Sequence, residues 1–332
     1  MKKPISPSVK SVLSAVSSAA RPGLTLRQLG ERGLIRRLLP GLPGRPDLLV
    51  AAGDDCAVVR LDARWDGVLK SDSVVEGVHF LPEARPELIG HKALGRVLSD
   101  FAAMGAEPQH VLVNLVAPPE TPVQRIEKVY AGLNRLARAW GVAVAGGETV
   151  SGSALELHVF GFGRVPRGCA VLRSGARAGD LLYVTGTLGG SILGRHLRFL
   201  PRLREGQWLS AGRWATAMMD VSDGLATDLN HLLAASGVGA NLVPGAAPVA
   251  AAARRMRDGR SALEHAWADG EDFELLFTVA ARRRLAFERA WKRAWPLRVT
   301  CLGSLTGERA VSGLPAASGY EHFRAFEERG IG

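Results

Sequence analysis

Cysteine is scarce: Cys56, Cys169 and Cys301 are the only three in 332 residues. They stand far apart, odd in number and outside any CxxC spacing, which excludes a disulfide framework and offers no zinc pattern. That usage points to the reducing cytoplasm. Long apolar runs are missing too. None nears the eighteen or so residues of a spanning helix, so no membrane partner is expected. Acidic residues are outnumbered, 32 Asp+Glu against 42 Lys+Arg, for a net charge of +10. The excess is mainly arginine, spread along the chain among Ala and Gly, and reads as compositional drift. The basic segments near Arg202 and at Arg282–Arg284 lack a zinc finger, an RNP motif or interleaved aromatics. Solvated helix faces explain them better than a nucleic-acid partner.

What is present is a globular mixture, 47% hydrophobic and 22% charged. Its length suggests two domains. Residues 1–20 (MKKPISPSVKSVLSAVSSAA) mimic a signal peptide, but Pro4, Pro7, Lys10 and the serines break the apolar stretch. A flexible leader over 1–25 is expected instead. Thr25 then caps a helix carrying Leu26, Leu29, Leu34, Ile35 and Leu38. Gly67 to Phe80 reads as extended structure with a turn. Pro86 opens a helix with Leu88, Ile89, Leu94, Leu98 and Phe101 on one face, ending near Gly105. A strand from Val111 precedes a helix opened by Thr121 and Pro122, and a short strand empties into Gly146 and Gly147. After Gly163 a glycine-punctuated linker leads to strands LLYVTG and AMMDVS, a helix from Gly224 to Ser236, an alternating strand Phe273–Val279, a helix from Ala281 and a strand Leu297–Gly303. Strands alternating with helices argue for α/β organisation in both halves.

The acids of this basic chain gather at junctions. GDD places Asp54 beside Asp55, SDS places Asp72 at a strand end, LSDF puts Asp100 on a helix, GGE gives Glu148, and DVSDG holds Asp220 and Asp223 around Ser222. Singly each has a plain reading: Asp223 as a helix cap, Asp54 and Asp55 as an Asx turn, Asp100 paired with Arg96. Together they need cations, because clustered carboxylates repel and raise one another's pKa. Hard oxygen donors of this kind suit Mg²⁺ completed by water and phosphate. The glycines at 146–147 and in GTLGGS (186–191) let backbone approach a phosphate chain, although neither is a Walker A loop.

The series GDDCAVV (53–59), SDSVVEGVHF (71–80), HKALGRVLSDFAAMGAEP (91–108), GGETVSG (146–152), VTGTLGGS (184–191), DVSDGL (220–225), GEDFELLF (270–277) and GYEHF (319–323) resembles thiamine-monophosphate kinases, in their order and over nearly the whole chain. The resemblance implies an α/β fold with mixed sheets and the two-domain architecture of aminoimidazole ribonucleotide synthetase, here 26–163 and 164–332, dimerising through the N-terminal sheets. It implies in-line transfer of the γ-phosphoryl of ATP to thiamine monophosphate with several Mg²⁺ ions, no phosphoenzyme and no general base. By the same resemblance Asp54, Ser71, Asp72, Asp100, Glu148, Asp220 and Asp223 match metal ligands. Tyr130, Gly147, Glu148, Arg173 and Ser222 match nucleotide contacts, and His79, Glu271 and Tyr320 substrate contacts. Asp272 reads as structural.

The chain departs from the family pattern at several places. Glu148 stands for the usual Asp, Lys70 for a Ser or Thr, Ser151 for an Arg and Val97 for an Asn, and the segment from Ser191 to Leu209 is shortened. Lys70 is expected near phosphate or in solvent. Related alternatives include aminoimidazole ribonucleotide synthetase, and a kinase of another phosphorylated heterocycle. Selenophosphate synthetase and the hydrogenase-maturation dehydratase rely on cysteines that these three do not match.

Overall fold

The computed structural model describes residues 24–314 apart from residue 244. The leader expected over 1–25 falls almost wholly outside them, as does Tyr320. A first unit ends at Leu42 and holds helix α1 (Leu26–Leu38), opened by a capping box between Thr25 and Gln28 and broken from helical geometry at Gly30.

The body from Pro43 contains two mixed sheets. The first takes β1 (Leu48–Val50), β2 (Ala57–Arg60), β3 (Trp65–Val75), β4 (Glu107–Ala117), β5 (Ala143–Gly146), β6 (Thr149–Ser151) and β7 (Glu156–Pro166). Their order is β1-β2-β3-β7-β4-β5, with β6 also beside β4; β5 and β6 run parallel to β4, the other pairs antiparallel. Helices α2 (Pro86–Ala103) and α3 (Val123–Trp140) accompany it. The second sheet takes β8 (Leu181–Thr185), β9 (Ala215–Asp220), β10 (Gly239–Leu242), β11 (Leu275–Val279), β12 (Val299–Thr306) and β13 (Val311–Ser312), in the order β13-β10-β12-β8-β11-β9. With it come α4 (Leu203–Ala211), α5 (Leu225–Ser236), α6 (Ala262–Ala268) and α7 (Arg284–Ala294). No helix among the described residues is long and apolar enough to cross a membrane.

Helix α2 positions the site. Pro86 begins it, where a missing N–H costs nothing. Ile89, Leu94, Leu98 and Phe101 are wholly buried. Its approach to α3 is at backbone distance, because a Cβ on Gly90 would lie 1.9 Å from the Val129 carbonyl and one on Gly132 1.8 Å from that of Glu87. One core cluster runs from the first sheet through α2 to Met218, Phe277, Phe287 and Trp291 of the second half. A second cluster joins the other face of the second sheet to α5 and α6 through Leu229, Leu232 and Trp267.

Several expectations need correction. Strand β7 was not foreseen; it pairs along its whole length with β3 and over most of it with β4, and a domain boundary between 163 and 164 falls inside it. Strand β11 is buried at every position, not alternately, because helices and core cover both faces. Arg202 is no solvated-face residue: it donates to the wholly buried Glu274 at 2.6 and 2.7 Å.

Candidate metal and phosphate site

Among the described residues, one group of carboxylates is close enough to share an ion: Asp55, Asp100 and Asp220, with one oxygen of each inside a 4.8 Å span and all three buried. They come from the turn before β2, from α2 and from the end of β9. Asp220 Oδ2 accepts the Ser99 hydroxyl at 2.6 Å, tying β9 to α2. Burial, with Asp55 adding repulsion, pushes the Asp220 carboxyl up to about 7. Asp55 keeps its Oδ2 buried without a hydrogen-bond partner. A buried carboxylate oxygen left unpaired costs stability unless a cation meets it, so this all-oxygen set fits a hard divalent ion.

Asp55, rather than the expected Asp54, joins this group. Asp54 accepts the backbone N–H of Asp55 at 3.0 Å and that of Arg173 at 3.1 Å. Burial and then Asp55 raise its carboxyl to about 6. The Arg173 guanidinium, expected on nucleotide, is spent on Asp55 Oδ1 at 2.5 and 3.1 Å. The doublet of acids was visible in the sequence, but not which of the two turns inward.

Strand alternation sorts the next three residues. Lys70 and Asp72 face α2, whereas Ser71 lies opposite Phe160 on the exposed side of the sheet. The Ser71 hydroxyl therefore points away from the acids. Lys70 Nζ reaches Asp100 Oδ1 at 2.9 Å. Burial alone would lower this ammonium's pKa, but Asp100 and Asp72 outweigh it and raise it. Asp100 thus pairs with Lys70 and not with Arg96 of its own helix. Asp72 takes Arg96 instead, and despite burial Arg96 and Lys70 hold its carboxyl below the usual range.

A second polar network adjoins through Arg96. Glu271 sits in a loop with positive φ at Glu271 (62°) and Phe273 (52°), a costly backbone for side chains of this size. That loop is pinned to DVSD: the Glu271 N–H donates to Ser222 O at 2.7 Å and the Phe273 N–H to Val221 O at 2.8 Å. The Glu271 carboxylate meets the wholly buried Lys92 at 2.7 Å, Arg96 at 3.2 Å and His196 at 3.1 Å. Against its burial, these partners bring its carboxyl down to about 2. Its charge is thus already matched from within. His79 accepts the Val75 N–H at Nδ1, and burial, with Arg96 beside it, lowers its pKa to about 4. Lys92 and Arg96 sit in the quoted segment 91–108 but were assigned no role, and His196 carried no motif signal; their Glu271 partner lies 75 to 179 residues away.

The remaining candidates divide. The N-cap position of α5 is Gly224, one residue after Asp223. The amides of Ser222 and Asp223 donate to the buried Asp228 at 3.0 and 3.1 Å, which fixes the turn. Gly147 packs where a Cβ would lie 1.9 Å from the Val113 carbonyl. Glu148 is outside the acid group; its Oε1 accepts the Thr149 N–H at 3.0 Å while its own N–H donates to Asn114. Tyr130 is half-buried on α3. In GTLGG the amides of Gly189 and Gly190 are not open to phosphate, since they donate to Asp272 and Asp269 at 2.7 Å each. Asp272 thereby holds the Gly189 amide in place.

Residues 53–165 match the family model described as AIR synthase related protein, N-terminal domain. The thiamine-monophosphate kinase of Rhodopirellula baltica is 39% identical over 293 residues, 83% of this chain and 89% of that protein. That of Escherichia coli K12 is 34% identical over 327 residues, 89% of this chain and 98% of its own. The solved structure of AaThiL complexed with AMPPCP and TMP is 30% identical, covers 91% of this chain and 100% of that one, and superposes with a TM-score of 0.80.

Proposed function

The chain belongs to the thiamine-monophosphate kinase family, and from that premise we propose that it transfers the γ-phosphoryl group of ATP to the phosphate of thiamine monophosphate, with Mg²⁺ as cofactor. The observation that carries the Mg²⁺ reading is the Asp55–Asp100–Asp220 group with its unpartnered Asp55 oxygen. Those three residues would hold the ion, with Asp54, Asp72 and Asp223 on the elements beside them. When bound, Mg²⁺ neutralises charge on the phosphates and on the group in transfer.

The chain's own part is positioning. A phosphate acceptor is ionised at neutral pH, so no side chain need remove a proton, and none is nominated as base or nucleophile. Asp228 holds the Ser222–Asp223 turn against the Glu271 loop. Arg96 and Lys92 place fixed positive charge beside that turn. In this reading Ser222, Gly147 and Tyr130 lie along the nucleotide side, and His79, Glu271 and Tyr320 along the substrate side.

The enzyme works in the cytoplasm as a homodimer in this reading. Leu112 and its cross-strand partner Phe160 are exposed on the face of the first sheet turned away from α2, where a second copy would cover them. The test is incubation of the full chain with Mg·ATP and either thiamine monophosphate or thiamine, identifying products by mass. Thiamine diphosphate from the monophosphate alone is expected. Its absence at high enzyme concentration overturns the activity, and equal turnover of free thiamine overturns the acceptor.

A further inference from the structure

Four carboxylates meet at the junction of the two sheets, and the chain answers them unequally. Asp72 has Arg96, Asp55 has Arg173 on Oδ1, and Asp100 has Lys70 at 2.9 Å. Asp220 accepts the Ser99 hydroxyl but forms no ion pair among the described residues, and Asp55 Oδ2 has no hydrogen-bond partner. The deficit of positive charge therefore lies on the Asp55–Asp220 edge, while an ammonium already stands on Asp100. Strand β3 brings that ammonium there, because Lys70 and Asp72 share the face turned toward α2. The lysine stem is mostly covered, its side chain 24% exposed, so the ammonium is held in place and not swinging in solvent.

We propose that Lys70 is a built-in cation of this cluster, supplying from the chain the positive charge that a further divalent ion would otherwise supply at Asp100. A divalent ion on the Asp55–Asp220 edge and the ammonium on Oδ1 of Asp100 are then compatible. Two divalent ions are not, because the second would press against a fixed positive charge. The chain has thereby exchanged an exchangeable ion for a covalently attached one, at the cost of the ion's capacity to bind phosphate oxygens directly. The inference rests on the Mg²⁺ reading above for the nature of the ion, but not on turnover.

Mn²⁺, another octahedral ion that takes oxygen ligands, is the probe. Bound Mn²⁺ is counted from loss of the free-ion electron paramagnetic resonance signal, on the full chain without nucleotide. The wild type is compared with Lys70→Thr, which suits a strand and frees the space, and with Lys70→Arg, which keeps the charge. Lys70→Thr is expected to bind roughly one more Mn²⁺ per chain than the wild type, and to gain more thermal stability on Mn²⁺ addition. Lys70→Arg is expected to match the wild type. Equal counts in wild type and Lys70→Thr overturn the proposal. If Lys70→Thr folds only when Mn²⁺ is present, the ion has replaced the ammonium and the proposal holds. If it folds in neither condition, the ammonium is not acting as an exchangeable charge and the proposal fails. A chain with the expected counts but no kinase activity would overturn only the reading of function.

Discussion

Arg96 grips Asp72 with two parallel contacts, Nε to Oδ2 and Nη2 to Oδ1, each at 3.0 Å. Its remaining nitrogen, Nη1, reaches Glu271 at 3.2 Å. One planar guanidinium thus binds the strand end of the first sheet to a loop of the second half, in the fork geometry that lysine cannot reproduce.

Replacing Arg96 with Met should therefore leave Asp72 and part of Glu271 without their counter-charge. Breaking a buried pair on one side costs about 3 kcal/mol. The expected result is a markedly lower urea midpoint, only partly recovered by Arg96→Lys. An unchanged midpoint for Arg96→Met would show that the fork contributes nothing to holding the halves together.

The placement of Asp55 inside the acid group predicts an order of effects on turnover. Asp55→Asn and Asp220→Asn should each lower kcat about a thousandfold, roughly 4 kcal/mol. Asp54→Asn keeps an oxygen for the amides of Asp55 and Arg173 and should cost about tenfold or less. Steady-state rates at saturating Mg·ATP decide it; the reverse order would put Asp54 at the ion.

Asp272 predicts a pH dependence of stability. Burial, partly offset by Arg195 and the Gly189 amide, raises its carboxyl from 3.8 to about 8. The unfolded chain ionises it from its ordinary value upward, while the folded chain keeps the proton. Its contribution is thus fully present below about pH 4 and declines as pH rises toward 8. Asp272→Asn, which retains an acceptor for Gly189, should flatten that decline when urea midpoints are compared between about pH 5 and pH 8. Parallel curves for the two proteins would remove Asp272 as the cause.

Glu148 accepts the Thr149 N–H, a bond that an amide oxygen makes equally well. Glu148→Gln is expected to keep kcat and the Mg²⁺ titration within about threefold of wild type. A tenfold rise in the Mg²⁺ needed for half-maximal rate would return Glu148 to the ligands.

Most of the elements were legible in the sequence because their periodicity is strong: α2 and α3, the β3 extension, and β8, β9 and β12 fall where the pattern puts them. Strand β7 was hidden by its own glycines. Its last residues were read as the start of a linker after Gly163, and its glycines weaken the strand pattern, yet a Cβ on Gly161 would lie 2.6 Å from Val97 Cγ1 and 2.9 Å from the Phe101 ring. The glycine is there to let α2 lie on the sheet. At the site, the sequence exposed the acids but not their partners. Asp100 beside Arg96 suggested a local pair, whereas the real partners, Lys70 and Asp72, come from strand β3 and exchange them. Alternation along β3 was legible too, and it sets Ser71 on the opposite face of the strand from Lys70 and Asp72.

Lys92, Arg96, Ser99 and Asp100 fall on one stripe of α2, at the spacing of successive helical turns. Lys92 and Arg96 answer Glu271, Ser99 answers Asp220, and Asp100 answers Lys70. Severing the chain within 167–180 would take Lys92 and Arg96 from Glu271 and Ser99 from Asp220 in one fragment and strand the Lys92 ammonium in the other. Neither piece could be made alone without wrapping bare charge in apolar surroundings, so the pieces would be recovered together or as aggregate. The two sheets are inherited, expressed and lost as a single object.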